Sequence, residues 1–245
     1  MVAAATCGFF MSVLAACGGP RTVTDHGGGV PRPGGTDASV RPRPVEPPRV
    51  PGVGDRLWRH VPAGSRQIVA VYGDGESSPD GTLVLYEKHG ARWERIRSWP
   101  SHNGKRGWTT DHHDGDERTP VGVFSLSDAG GLLEDPGAQL PYTQDEDAFV
   151  SPYEWDEAHW HDFDYVIAID YNRLRGTRPD DPTRPLGKDK GGSIWLHLDH
   201  GDGTLGCVSV PERAMRFLLR RLDPQQKPVV VMGDRANLKA ARDRY

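Results

Sequence analysis

The sequence has little cysteine: three residues in 245, at positions 7, 17 and 207. Three cannot build the paired disulfide framework of a small secreted scaffold. Basic charge is not in surplus either, with 30 Lys and Arg against 34 Asp and Glu and a net charge of −4. A nucleic-acid binder carries a basic face, so that class is excluded. Beyond the N-terminus no apolar run reaches the roughly 18 residues of a membrane span. No repeat of about 20–50 residues recurs, which argues against a solenoid or a propeller. At about 150 residues per domain, the length allows one or two domains. What the chain has in excess is 30 Gly and 21 Pro. That is above the usual combined share of roughly 12%, and much of the excess lies in one stretch.

Residues 1–16 are apolar or small throughout and carry no charged side chain. The stretch is too short to span a membrane and fits the apolar region of an export signal. It ends in Leu14-Ala15-Ala16-Cys17, which resembles the bacterial lipobox. The resemblance implies that 1–17 is a lipoprotein signal and that Cys17 is acylated as the first residue of the mature chain. Residues 18–54 follow, with nine Gly, eight Pro, no aromatic residue and neither Leu nor Ile. Such a segment cannot bury enough apolar surface to offset its ordering entropy, and a disordered linker is expected. Its Pro-rich part, Arg41 to Pro48, favours an extended chain, and the linker could reach on the order of 100 Å. An anchor and a tether of this kind would hold a domain outside the cytoplasm, away from the membrane surface and facing the wall.

Residues 55–235 remain as a single folded domain, mainly β, with 236–245 as a short helix or tail. Short β-branched and aromatic runs recur between turn residues, at 67–72, 82–88, 92–99, 121–126, 165–171, 193–198 and 228–232. Pro211 opens one helix over 211–222, since proline in the first turn lacks only an orphan donor. Met215, Leu218, Leu219 and Leu222 share one face of it and read as core. The aromatic, acidic stretch 140–163, with Tyr142, Tyr153, Trp155 and Trp160, reads either as a lid over a groove or as packing under a long loop.

If the signal is removed and Cys17 acylated, Cys207 is the one free thiol of the mature chain. By composition alone an unpaired cysteine is more often buried and inert. Its surroundings argue otherwise. A buried strand, Ile194 to Leu196, delivers His197, and a Gly- and Asp-rich loop returns the chain to Gly206-Cys207. Glycine lets the backbone approach a substrate closely. A free thiol is only about 3% thiolate at pH 7, and a neighbouring imidazole raises that fraction.

His197…Thr204-Leu205-Gly206-Cys207 resembles the active-site pattern of the L,D-transpeptidases, the YkuD or ErfK-like family of cell-wall enzymes. Three further stretches agree in order: Ser101-His102-Asn103-Gly104, Gly115 to Phe124 with Thr119-Pro120, and Asp164 to Asn172. The resemblance covers about 66–233. It implies an L,D-transpeptidase-like mixed β-sheet or sandwich domain with a few short helices. It also implies Cys207 as nucleophile, His197 as base, and backbone N–H groups at Gly206 and Cys207 for the oxyanion. Thr204, His200 and Ser209 are expected substrate contacts. The substrates would be peptidoglycan stem peptides, joined by 3→3 crosslinks, with no cofactor and no metal; a membrane contact through lipid and a monomer are expected. An L,D-carboxypeptidase and a non-catalytic wall-binding lipoprotein are the alternatives. Two departures stand out. Leu205 occupies a position where many members have a second His, and the interval from His197 to Cys207 is short. The short interval makes His200 a competitor for the base. His197 is preferred because it ends a hydrophobic strand, whereas His200 sits in a sequence suited to a mobile, solvated loop. The pairs His112-His113-Asp114 and His159-Trp160-His161-Asp162 invite a metal reading. No firm strand aligns their rings, so solvated loops are expected. Asp180-Asp181 and Asp199 with Asp202 lack the spacing of an EF-hand.

Overall fold

The structure is a computed structural model that describes residues 48–241. The lipobox, Cys17 and the linker up to residue 47 lie outside the described residues, as do 242–245. The elements run in chain order as α1 (Asp55–Trp58), β1 (Gln67–Gly73), β2 (Asp80–His89), β3 (Arg92–His102), β4 (Trp108–Thr109) and β5 (Thr119–Pro120). They continue with β6 (Gly122–Gly131), β7 (Tyr142–Gln144), β8 (Val166–Ile169), β9 (Trp195–Leu198), β10 (Val208–Val210), α2 (Glu212–Arg221), β11 (Val229–Asp234) and α3 (Arg235–Lys239).

The strands pair in the order β11-β1-β2-β3-β10-β9-β8-β6-β7, and β6 also pairs with β11. That last pairing closes the sheet into a barrel-like ring, which reduces exposed edges and leaves β7 paired only with β6. Most pairs are antiparallel, but β1 with β11, β9 with β10, and β6 with β7 are parallel. The mainly β expectation holds, with short helices set around the ring.

The ring is buried on both faces. Inside lie Val69, Val71, Leu83, Leu85, Ile167, Ile169, Leu196, Val208, Val230 and Met232, closed by Met215, Leu218 and Leu219 of α2 and by Leu222 at its C-cap. Each such side chain contributes roughly 1.5–3 kcal/mol by leaving water. The outer face of β1, β2 and β11 is covered by Val50, Val53, Leu57 and Leu238. Val166, Ala168 and Trp195, outward on β8 and β9, are covered by Phe149 and Phe163. Two-sided burial explains why β1 and β11 read as near-continuous apolar runs rather than as clean alternation.

The domain boundaries expected from composition shift at both ends. Val50 and Val53, assigned to the linker, are buried in the outer cluster, and the Gly54 N–H donates to Leu238 O. Gly and Pro around these valines masked them in a composition count. The terminal helix is not a tail, because Asn237 and Leu238 are buried and the Asp234 carboxylate caps the Ala236 and Asn237 N–H groups. The short strands β4, β5, β7 and β10 have no counterpart among the expected runs. Among the described residues no helix is long and apolar enough to cross a membrane.

Candidate active site

Cys207 sits at the turn that leads into β10, beside β9 in parallel register, where Ser209 faces His197. Its position is fixed through its own carbonyl. The Thr204 hydroxyl donates to Cys207 O at 2.7 Å, and the Thr119 hydroxyl donates to the same oxygen at 3.2 Å. Thr204 Oγ1 in turn accepts from the Gly206 N–H, and Thr119 Oγ1 accepts from the Gly104 N–H. Gly104 bridges to Thr204 directly. Stretches far apart in the sequence, at Gly104, Thr119 and Thr204 to Cys207, thus converge on one peptide. Gly206 has φ +140°, and a Cβ there would stand 3.2 Å from Arg118 O. Both the conformation and the space call for glycine.

The thiol is partly buried. Sγ donates to Ser193 O and accepts the Trp195 N–H, each at 3.4 Å. Burial pushes the thiol up to about 11, with the charge of Asp162 acting in the same direction. Burial thus works against the thiolate enrichment expected from a neighbouring imidazole, and the thiol is placed to donate to a carbonyl.

His197 is buried within β9, one residue before its end, against the Phe163 ring at a centroid distance of 5.4 Å. Its Nδ1–H donates to Leu198 O at 2.7 Å, since a carbonyl can only accept. The lone pair is left on Nε2. Burial lowers this imidazole to about 4, so it is neutral and able to take a proton at physiological pH.

His200 is not in a mobile, solvated loop. Its side chain is only 5% exposed. Nε2 donates to Gly203 O at 3.3 Å and Nδ1 meets Asp162 Oδ1 at 3.2 Å. The hydrogen bond to Asp162 raises its pKa. Composition missed this because the partner lies in a different segment. The chain neighbour Asp199 is instead bound to His102 and to the Ser209 hydroxyl. Ser209 is therefore not a substrate contact, being fully buried with its hydroxyl spent on Asp199. Thr204 lines the cleft, but its hydroxyl is committed to Cys207 O.

Cys207, His197, His200 and Thr204 share one cleft of about 350 Å³ with Trp155, Asp162 and Phe163. Part of the stretch 140–163 lines the cleft and part of it packs. Trp155 lines the cleft and packs on Phe163, which packs on Trp195, while Tyr153 points into solvent and Tyr142 bonds Leu133 O. Gly206 N–H, expected to hold an oxyanion, is spent on Thr204 Oγ1. His112 is buried rather than solvated and packs edge-on against Tyr171. His113 pairs with Asp189, and His161 with Asp164. His159 leans on Asp162, three residues away.

The family model of the L,D-transpeptidase catalytic domain, YkuD, matches residues 49–231. The chain belongs to the YkuD family. Cys207, His197 and the threonines that hold the Cys207 peptide all fall within the matched L,D-transpeptidase region. A search of curated proteins finds no match. Among solved structures the chain is similar to that of Bd1075 from Bdellovibrio bacteriovorus, at 17% identity and a TM-score of 0.40. The match covers 75% of this chain and 52% of that one, so the chain spans about half the length of the structure it matches.

Proposed function

We propose that this L,D-transpeptidase-family protein is a cysteine acyltransferase that forms 3→3 crosslinks between peptidoglycan stems. The observation that carries the reading is the tautomer of His197. With Nδ1–H held by Leu198 O, Nε2 is left as the acceptor of an imidazole that lines the same cleft as Cys207.

The order of proton transfer follows from magnitudes. The thiol is pushed up to about 11 and the imidazole down to about 4. Burial therefore disfavours a preformed thiolate–imidazolium pair, since it penalises both charges. Proton transfer is therefore concerted with attack, as general-base catalysis. Cys207 Sγ attacks the carbonyl that joins the L-centre of the third residue to the fourth, D-residue, while its proton passes to His197 Nε2. The Cys207 N–H is the oxyanion donor in this scheme, with Gly206 N–H already committed. The C–N bond breaks, and the departing amine takes the proton from His197. The thioester is opened by a side-chain amine of a second stem, whose proton returns through His197. The lipobox at Cys17 and the linker support a role on the outer membrane face, close to the wall.

The test is to incubate the protein with tetrapeptide-stem muropeptides and weigh the products. A crosslinked product lacking one D-residue is expected, together with a carbapenem adduct on Cys207 of the wild type. Tripeptide stems without crosslinks would make water the acceptor and the protein a carboxypeptidase. Turnover by well-folded Cys207→Ala would overturn the mechanism.

A further inference from the structure

One group in the cleft takes no part in the chemistry above. His159, Asp162 and His200 present ligand atoms that all lie within 4.8 Å of one another. Asp162 Oδ2 is the hub, 3.0 Å from His159 Nδ1 and 3.1 Å from His200 Nδ1. The two imidazole rings are tilted at 57° with centroids 4.1 Å apart, which is unfavourable for two positive charges.

The spacing that suits hydrogen bonds to Asp162 also suits a metal ion. Zinc bonds nitrogen and carboxylate oxygen at about 2.0–2.2 Å, so neighbouring donors in a tetrahedral site stand roughly 3.3 Å apart. Both edges that meet at Asp162 are already within a few tenths of an ångström of that. The second hydrogen bond of His200, from Nε2 to Gly203 O, turns Nδ1 toward the carboxylate. Carbonyls hold metal-bound imidazoles in this manner.

The backbone beneath the three groups is tied down. Asp162 N–H donates to His159 O, Leu198 N–H donates to Asp162 O, and the Ser151 hydroxyl also donates to His159 O. The side chains of Asp162 and His200 are enclosed, and that of His159 is 26% exposed toward the opening. Two imidazoles and one carboxylate favour zinc or a similar transition metal over calcium and magnesium, which take oxygen donors.

We propose that His159, Asp162 and His200 bind one divalent transition-metal ion, with zinc as the probe, in a three-ligand site whose remaining position opens to the cleft beside Cys207. The sequence set this site aside because His159 was paired with His161, whereas its partner comes from the loop after β9. The site does not depend on the acyl-transfer reaction, and its test reads no activity.

The full chain is stripped with a chelator, dialysed against equimolar zinc, and assayed for bound metal. His159→Ala, Asp162→Asn and His200→Ala are each expected to bind one equivalent less than the wild type. His161→Ala and Cys207→Ser retain the wild-type stoichiometry, and the thiols of Cys7 and Cys17 cancel in the comparison. Because the His159 side chain reaches the opening, His159→Ala keeps the test decisive if the variants at the two enclosed positions do not fold. Cobalt in place of zinc should show ligand-field bands without a thiolate charge-transfer band. Wild type that retains no zinc overturns the proposal, as does unchanged binding in His159→Ala. Loss in Cys207→Ser with a thiolate band would place the ion on the nucleophile instead, and would overturn it as well.

Discussion

The cleft has two walls built on opposite principles. One is strand-built: His197 on β9 and Cys207 at the entry to β10 are desolvated, and burial keeps both neutral, with the imidazole lowered and the thiol raised. The other is loop-built: His200 is also enclosed, but Asp162 beside it raises its pKa and favours the cation. Two histidines three residues apart, with rings stacked at 6.2 Å, thus have their pKa values shifted in opposite directions. Enclosure alone does not decide whether a histidine is a base. The group facing its second nitrogen does, a carbonyl for His197 and a carboxylate for His200.

The largest effect that separates the walls is on turnover. His197→Gln should lower kcat/KM by about 10²–10⁴, the usual range for loss of a general base. His200→Ala should cost less than about tenfold. Steady-state kinetics on muropeptide substrate checks both, and a reversal of the two losses would move the base to the loop-built wall.

The strand-built wall was the legible one. The apolar run before His197, the Gly-Cys turn and Thr119 form local patterns, and the structure brings them together around Cys207. α2 was equally legible, because four apolar residues at helical spacing point one way. The loop-built wall was not. Asp162, His159 and His200 meet only through tertiary contact, and nothing in the local sequence of His200 points to a partner some forty residues upstream. Asp199, adjacent in sequence, misled for the same reason: its carboxylate turns to His102 and Ser209. Val50 and Val53 were hidden by the Gly and Pro around them, since composition averages over residues that packing treats singly.

A second, smaller effect lies in stability against pH. The His197 imidazole is at about 4 in the fold, below its ordinary value of 6.5. The unfolded chain therefore binds more protons below about 6.5, and stability falls as pH drops from 6.5 toward 4. The loss is roughly 3 kcal/mol at most. His200 runs the other way. Its pKa is raised by Asp162, so its contribution is complete below about 6.5 and is lost as pH rises through the raised value. Urea titrations at pH 4.5, 6.5 and 8 should show His197→Gln flattening the acid limb only and His200→Gln flattening the neutral limb only. Both variants changing the same limb would mean that the walls titrate as one unit.

The smallest expected effect tests how the strand-built wall is held. Thr204 and Thr119 both donate to Cys207 O, so removing one hydroxyl leaves the carbonyl a partner. Thr204→Val should then cost about 0.5–1.5 kcal/mol of stability, the net worth of one hydrogen bond. The double Thr119→Val, Thr204→Val variant should cost more than the sum of the singles, because it leaves a buried acceptor with neither hydroxyl. The sequence alone had Thr204 touching substrate. The two roles separate in kinetics. A residue that positions the Gly206–Cys207 turn lowers kcat and leaves KM in place, whereas a substrate contact raises KM. With its hydroxyl donating to Cys207 O and accepting from Gly206 N–H, Thr204 has no hydrogen left for a substrate. The expected result for Thr204→Val is a kcat lowered by less than about tenfold at unchanged KM. A raised KM at unchanged kcat would show that the hydroxyl leaves Cys207 O when substrate binds, and would return Thr204 to the role first read from the sequence.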